Sequence, residues 1–251
     1  MSHAVLTVLF LGVAGAVAGI IGTAGGITTL VAYPALLAVG IPPLAANVTN
    51  SVAMVGSGLS SASRAAPDIT GQGPTIRRWM PVSITLSLAG AIVLVVTPGG
   101  VFDRVVPFLV AAGSLTLLMQ PLISRWQKEN EHSRGRTAVF GGLGAVAVYN
   151  GYFGAGSGIL LIALLLLTAE PVLHRANAVK NVILAASDLL PALMFAVTAN
   201  VVWTAAIPLA AGTVAGGLIG PSIARRARPG ILRIVIACTG FALATWLLIS
   251  S

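Results

Sequence analysis

The chain has 251 residues, of which 57% are apolar and only 8% are charged, with a formal net charge of +8. A soluble globular domain carries about 25% charged residues, so this composition excludes such a domain and predicts an all-α polytopic membrane protein in a lipid bilayer. In a soluble protein the positive charge would suggest nucleic acid. Here the basic residues lie in short loops between apolar segments, where they orient a membrane protein, so we expect no nucleic-acid partner.

Apolar segments follow one another along the whole chain, and a full membrane span needs about 20 residues. Three of them are shorter and are predicted to be half-helices beside glycine-rich breaks: 27–39, 137–150 and 157–169. In all we predict about 8–10 membrane segments. They cover residues 4–22, 27–39, 44–63, 79–97, 103–125, 137–150, 157–169, 174–198, 203–223 and 230–249.

Two glycine-rich motifs divide the chain into related halves. Gly19–Ile27 reads GIIGTAGGI, and Gly151–Ile159, which begins 132 residues later, reads GYFGAGSGI. Related halves that each contain a glycine-broken apolar segment are typical of secondary transporters. We predict a first transmembrane repeat over residues 1–126, a basic cytoplasmic linker over 127–136 and a second repeat over 137–251.

The arginine-rich loops predict how the repeats are oriented. Basic residues cluster in 64–78, 125–136 and 225–228, and such loops favour the cytoplasmic face. All three can lie there only if 4–39 returns to the outside and 137–169 returns to the inside. The halves are then inverted repeats, each a glycine-broken helical hairpin plus three transmembrane helices, with both termini outside.

Polar residues inside apolar segments mark candidate binding sites, because unpaired polar groups are costly in a bilayer. One stripe lies within about 120° of a single helix face, and a shift of 130 residues gives a matching stripe in the first half. We expect the two stripes to face each other and to line one polar cavity between the repeats. The second-half stripe is Asn177, Lys180, Asn181, Ser187 and Asp188, and the first-half stripe includes Asn47, Asn50, Ser51 and Ser57.

The glycine breaks favour an anion as the ligand of this cavity. Each break exposes backbone N–H groups at the positive end of a half-helix, although the glycines are also compatible with tight helix packing alone. Lys180 either offsets the charge of the anion or extends to the membrane surface. Asp188 is either a proton-coupling group or a helix-stabilising one. The predicted substrate-binding residues are Gly25, Gly26, Thr28, Asn47, Asn50, Ser51, Gly156, Ser157, Gly158, Asn177, Lys180 and Asn181.

These motifs resemble the TauE/SafE sulfite exporter family. The resemblance rests on GIIGTAGGITTL and GYFGAGSGILLIALL, each followed by a turn with proline or histidine and a helix start of the form A-N-x-x-[NK], and it covers nearly the whole chain. It implies a multi-pass permease of the prokaryotic plasma membrane that moves small sulfur-containing anions such as sulfite or organosulfonates. The composition by itself indicates only a membrane protein with features suited to an anion.

Two other functions compete with alternating-access transport. An anion channel would use the same cavity with both gates open together, whereas inverted repeats favour alternating access. An intramembrane enzyme would need a nucleophile, but the sequence around Ser157 fails the G-x-S-x-G pattern; a Ser–Lys pair with Lys180 stays open. The sequence has no motif for a nucleotide, metal or cofactor. We predict no enzyme, no catalytic residue, no metal and no cofactor; a homodimer is compatible with the sequence.

Overall fold

The computed structural model describes residues 3–129, 136–224 and 229–250, so most of the predicted linker lies outside the described residues. The described residues form an all-helical fold, and each predicted apolar segment corresponds to one helix. The helices are α1 (His3–Gly25), α2 (Thr28–Ala38), α3 (Pro43–Ala65), α4 (Gly73–Val96), α5 (Gly99–Glu129), α6 (Arg136–Tyr152), α7 (Ser157–Thr168), α8 (Leu173–Thr198), α9 (Trp203–Ala224) and α10 (Pro229–Ser250).

Five helices are long and apolar enough to cross a membrane, counting the described residues only. They contain His3–Thr23, Gly73–Val96, Gly99–Met119, Leu173–Thr198 and Trp203–Gly220. Helix α3 is just as long, at 23 residues, but it is not among them. Its buried polar residues include Asn47, Asn50 and Ser57, and such residues lower the hydropathy of a helix that lies inside the molecule.

Glycines stop the helices at both predicted breaks. Helix α1 ends just before Gly26, which has φ +73°, and α7 begins just after Gly156, which has φ +78°. Gly154 in the same turn has φ +76°. Residues with side chains rarely adopt this left-handed backbone, because Cβ crowds the following carbonyl. The glycine motifs therefore end one helix and start another, as the sequence predicts.

Two seams of small residues hold the broken helices against their neighbours. A Cβ atom added to Gly15 or Gly19 of α1 would collide with the backbone of α9, and one added to Gly90 of α4 would collide with the backbone of α6. Backbones can approach this closely only where no side chain intervenes, as is common between membrane helices. Helix α1 thus packs along α9, and α6 packs along α4.

The tips of the two broken hairpins meet at a pair of glycines. A Cβ on Gly26 would lie 2.6 Å from the Cα of Gly158, and a Cβ on Gly158 would lie 2.5 Å from the Cα of Gly26. The contact is reciprocal, and the two glycines are related by the same 132-residue shift as the motifs. Around it, the ring of Phe153 packs edge-on against Tyr33 with centroids 5.3 Å apart.

A buried ion pair fixes the loops at one end of the molecule. The Arg175 Nε lies 3.3 Å from Oε2 of Glu170, a side chain that is only 3% exposed. The Gln72 amide donates to the same carboxylate, and Arg175 Nη2 donates to the Thr70 carbonyl at 2.6 Å. The α3–α4 loop, the end of α7 and the start of α8 are thereby joined. We call this the arginine end, because Arg64, Arg77 and Arg78 flank the same loop.

The opposite end has no comparable polar network among the described side chains. There the α2–α3 loop lies beside the α8–α9 loop, and the two contribute Pro42 and Asn200 to a mainly apolar cavity of about 360 Å³. The backbone N–H of Val202 donates to Oγ1 of Thr49 at 3.0 Å. The two ends are therefore closed by different chemistry, ionic at one and apolar at the other.

Candidate functional site

Two small cavities lie in series along α3 and α8. The first, of about 70 Å³, is lined by Ser57 and Ser61 of α3 and by Lys180 of α8; we call it the Lys180 cavity. The second, of about 40 Å³, is lined by Asn50 of α3 and Pro191 of α8; we call it the Asn50 cavity. At 1.5 Å per residue, the two together extend about 16 Å along each helix.

A shared wall separates the cavities. The side chains that line both are Met54, Asn150 and Asp188, together with Thr29 and Gly154. The sequence predicts one cavity between two polar stripes. Only part of each stripe borders these two cavities: Asn50, Ser51 and Ser57 on α3, and Lys180, Asn181 and Asp188 on α8.

Lys180 is buried in the first cavity, with only 1% of its surface exposed. Its ammonium donates to the Gly22 carbonyl at 3.2 Å, near the end of α1. No carboxylate lies within ion-pair distance of it in the described part of the chain. The side chain therefore does not extend to a membrane surface. When protonated, it places a positive charge without an ionic partner among the described residues beside the cavity, where an anion would complete the pair.

Asn47 and Asn177 act as ties between the two halves. The Asn47 Nδ2 donates to the Tyr152 carbonyl at 2.9 Å, and the Asn177 Nδ2 donates to the Thr23 carbonyl at 2.9 Å. Each amide satisfies a carbonyl in the last turn of the opposite half's broken helix, where the helix leaves its carbonyls without partners. Neither residue lines the two cavities. Their contact with a substrate remains a prediction.

The remaining predicted residues divide between the cavities. Gly26, Thr28, Ser157, Gly158 and Asn181 line the Lys180 cavity. Asn50 and Ser51 line the Asn50 cavity, and the buried Oδ1 of Asn50 has no hydrogen-bond partner among the described residues. Gly156 is the N-cap of α7 and lines neither cavity. The surroundings of Gly25 lie outside the described residues.

Asp188 stands at the end of a hydrogen-bond chain that crosses the shared wall. The Asn150 Nδ2 donates to Oδ1 of Asp188 at 2.6 Å, and the Ser157 hydroxyl donates to Oδ1 of Asn150 at 2.6 Å. Asn150 was not among the predicted site residues. In the sequence, Asn150 stands out only as an amide in an apolar segment directly before the second glycine motif. Its counterpart in the first half, Ala18, has no polar side chain.

The charges and dipoles around the Lys180 cavity favour an anion. The first turns of α2 and α7 both border it, through Thr28 and Thr29 and through Ser157 and Gly158. The positive ends of both helix dipoles therefore lie beside the cavity, and neither helix start has a side-chain cap. Asp188 is the negative group in the lining. Around this cavity the positive groups, the Lys180 ammonium and two helix starts, outnumber the single carboxylate of Asp188.

Comparison with known proteins agrees with these features. The family model for "Sulfite exporter TauE/SafE" matches residues 7–247. The chain is 28% identical over 246 residues to "Probable membrane transporter protein ORF9" from Sinorhizobium sp., which covers 95% of this chain and 91% of that protein. It is 24% identical over 238 residues to "Probable membrane transporter protein YfcA" from Escherichia coli, which covers 93% and 87%.

A third relative, "Probable membrane transporter protein" from Haemophilus influenzae, is 24% identical over 232 residues, with 90% and 89% covered. No solved structure matches the chain. The relatives are bacterial membrane proteins, and the matched family consists of transporters and not of enzymes. Since the family model spans nearly the whole chain, this multi-pass membrane protein belongs to the TauE/SafE sulfite exporter family.

Proposed function

We propose that this protein is a secondary transporter that carries a small sulfur-containing oxyanion through the Lys180 cavity. The observation that supports it best is the buried Lys180 ammonium, which has no acidic partner among the described residues and lies beside two uncapped helix starts. An unpaired buried cation is unfavourable by itself. A bound anion removes that cost, so the cavity gains most from a negatively charged guest.

The size of the Lys180 cavity limits which anions can fit inside it. A space of about 70 Å³ holds roughly five waters at 10–15 Å³ each. Sulfite and thiosulfate, with four and five non-hydrogen atoms, match that room. Sulfoacetate is larger and would need the space of the Asn50 cavity as well. We therefore place sulfite and thiosulfate ahead of the longer organosulfonates as cargo.

Alternating access is favoured over an open channel by the arrangement of the hairpins. The α6–α7 hairpin begins beside α4, where Arg78 lies over the Phe140 ring at 4.6 Å, and ends at Glu170, both at the arginine end. The α2–α3 loop lies at the opposite end. We infer two inverted repeats, 1–126 and 137–251, which touch each other at the equivalent residues Gly26 and Gly158. Exchanging the conformations of such repeats moves the opening from one side to the other.

The repeat arrangement also supports an orientation. If the arginine end faces the cytoplasm, as basic loops favour, both termini lie outside the plasma membrane of a prokaryote. A homodimer is compatible with this arrangement. An anion channel remains the second candidate, because the two cavities already lie in series.

Asp188 is the candidate for proton coupling. It lines both cavities, so a proton can reach it from either one. An anion that passes the shared wall meets the Asp188 carboxylate, which repels it when ionised. Passage is easier when the carboxyl group is protonated, and this would link movement of the anion to movement of a proton.

The decisive experiment is uptake of radiolabelled sulfite, thiosulfate and sulfoacetate into proteoliposomes with and without a pH gradient. We expect saturable, gradient-driven uptake of sulfite or thiosulfate. No uptake of any of them by folded protein would refute the sulfur-anion assignment. Conductance without saturation would favour the channel.

The matched pair Lys180→Met and Arg77→Met tests the site. Both remove one positive charge, but Lys180 is buried in the cavity and Arg77 is exposed. We expect Lys180→Met to weaken anion binding by at least about tenfold, as for loss of a hydrogen bond to a charged group. Arg77→Met should bind as the wild type does. Equal affinities in all three proteins would remove Lys180 from the site.

A further inference from the structure

We propose that Asn150 is a positioning residue that turns its side-chain amide when Asp188 gains a proton, and thereby frees the Ser157 hydroxyl to bind the anion. The inference deepens the proposed function and rests on it. It adds to the charge repulsion by Asp188 a second, hydrogen-bonded link between the proton at Asp188 and the anion in the Lys180 cavity.

The three side chains are placed for such a link. Asp188 and Asn150 border both cavities, whereas Ser157 borders only the Lys180 cavity. Asn150 lies between them, with 2.6 Å from its Nδ2 to the Asp188 carboxylate and 2.6 Å from its Oδ1 to the Ser157 hydroxyl. A proton arriving at Asp188 from the Asn50 cavity is therefore two hydrogen bonds away from a group in the anion cavity.

The direction of each hydrogen bond follows from the protonation state. An ionised carboxylate only accepts, so Asn150 has to present its NH₂ group to Asp188 and its oxygen to Ser157. The Ser157 hydroxyl then gives its single proton to Asn150 and has none for an anion. In this arrangement the Ser157 hydroxyl cannot donate a hydrogen bond to an anion in the Lys180 cavity.

Protonation reverses both bonds. A protonated Asp188 donates its O–H, so the favourable amide orientation presents Oδ1 of Asn150 to Asp188 and Nδ2 to the Ser157 oxygen. The Ser157 oxygen then accepts, and its proton is free to point into the Lys180 cavity. The carboxyl takes up one proton and releases the same proton later.

The charged groups of the described residues lie at different distances from Asp188. On its own helix, Lys180 borders the same cavity about two turns away. Helices α1, α3, α4, α6 and α7 pack against α8, and among their described residues Arg64, Arg77 and Arg78 are exposed near the arginine end. Tyr149 donates its hydroxyl to the Ala155 carbonyl at 2.7 Å. Asn150 donates its hydrogen bond to Asp188 through Nδ2. The same Nδ2 also lies 3.5 Å from the Ser87 Oγ.

The test is the affinity for thiosulfate at mildly acidic and at neutral pH, because thiosulfate itself stays ionised at both. In the wild type we expect tighter binding at acidic pH. Ser157→Ala should lose about tenfold more affinity at acidic pH than at neutral pH, because only the freed hydroxyl donates to the anion. Asn150→Ala should match the wild type at acidic pH and bind about tenfold more tightly at neutral pH, since its Ser157 hydroxyl is always free.

This crossed pattern separates a relay from a merely structural role. Weakened binding by Asn150→Ala at both pH values, or an equal loss at both in Ser157→Ala, would overturn the proposal. Asp188→Asn should abolish the pH dependence. If the wild type binds no thiosulfate, the cargo assignment fails, and infrared difference spectra between the two pH values still decide the relay. A protonated-carboxyl band that is absent in Asp188→Asn and shifted in Asn150→Ala supports it, and no such band overturns it.

Discussion

The closest approach of the two hairpins gives the sharpest test of the packing. An alanine at position 158 would place its Cβ 2.5 Å from the Cα of Gly26 and 2.9 Å from its carbonyl oxygen. Carbon atoms pack at about 3.5–4.0 Å, so the hairpin tips would have to separate by about 1–1.5 Å. Both neighbours are backbone atoms, which cannot turn aside. Overpacking of this kind costs about 1–3 kcal/mol, and the Gly158→Ala protein should melt at a lower temperature.

Thermal unfolding in detergent, followed by uptake in proteoliposomes, measures the effect. Gly141→Ala is the matched control on α6, because a Cβ there meets nothing within 4 Å; it should be neutral or stabilising by up to about 1 kcal/mol. Gly158 also borders the Lys180 cavity, so transport should fall along with stability. Equal melting temperatures for the two variants would refute the reasoning that the hairpins touch at Gly26 and Gly158.

Three further predictions concern the buried ion pair, the two asparagine ties and Asp188. Glu170→Gln should lower the free energy of unfolding by about 1–2 kcal/mol, since it breaks a buried ion pair whose arginine keeps some solvent; an unchanged melting temperature would contradict the role of this cluster. Asn47→Ala and Asn177→Ala should each cost about 1 kcal/mol in thermal unfolding, and a large difference between them would argue against equivalent ties. Asp188→Asn should make uptake independent of pH in proteoliposomes, and an unchanged pH profile would exclude Asp188 as the coupling group.

The helices could be predicted from the sequence because their signals are local. Ten apolar segments became ten helices among the described residues, with the breaks at the two glycine motifs. Apolar runs, glycines at positive φ and prolines at helix starts act within a few residues of where they stand. The family follows from the same motifs and from their spacing, and the match over residues 7–247 confirms it.

The candidate site could be predicted only in part. Of the stripe on α8, Lys180, Asn181 and Ser187 are buried, whereas Asn177 and Asp188 are partly exposed. The hydrogen-bond partner of each asparagine could not be predicted, because Asn47 and Asn177 donate to carbonyls more than 100 residues away in the chain. Asn150 was missed for the same reason: its importance comes from Asp188 and Ser157, which approach it only in the folded protein.

The sequence alone thus determined the membrane character, the helices, the breaks and the family, since each depends on composition or on neighbours in the chain. The tertiary structure decided which polar groups hydrogen-bond to each other inside the protein. Contacts between α3, α8 and the two hairpin tips divide one expected cavity into two and leave the Lys180 ammonium without an acidic partner in the described residues. A hydrogen bond depends on distances of a few tenths of an ångström, and helical periodicity cannot specify those across separate helices.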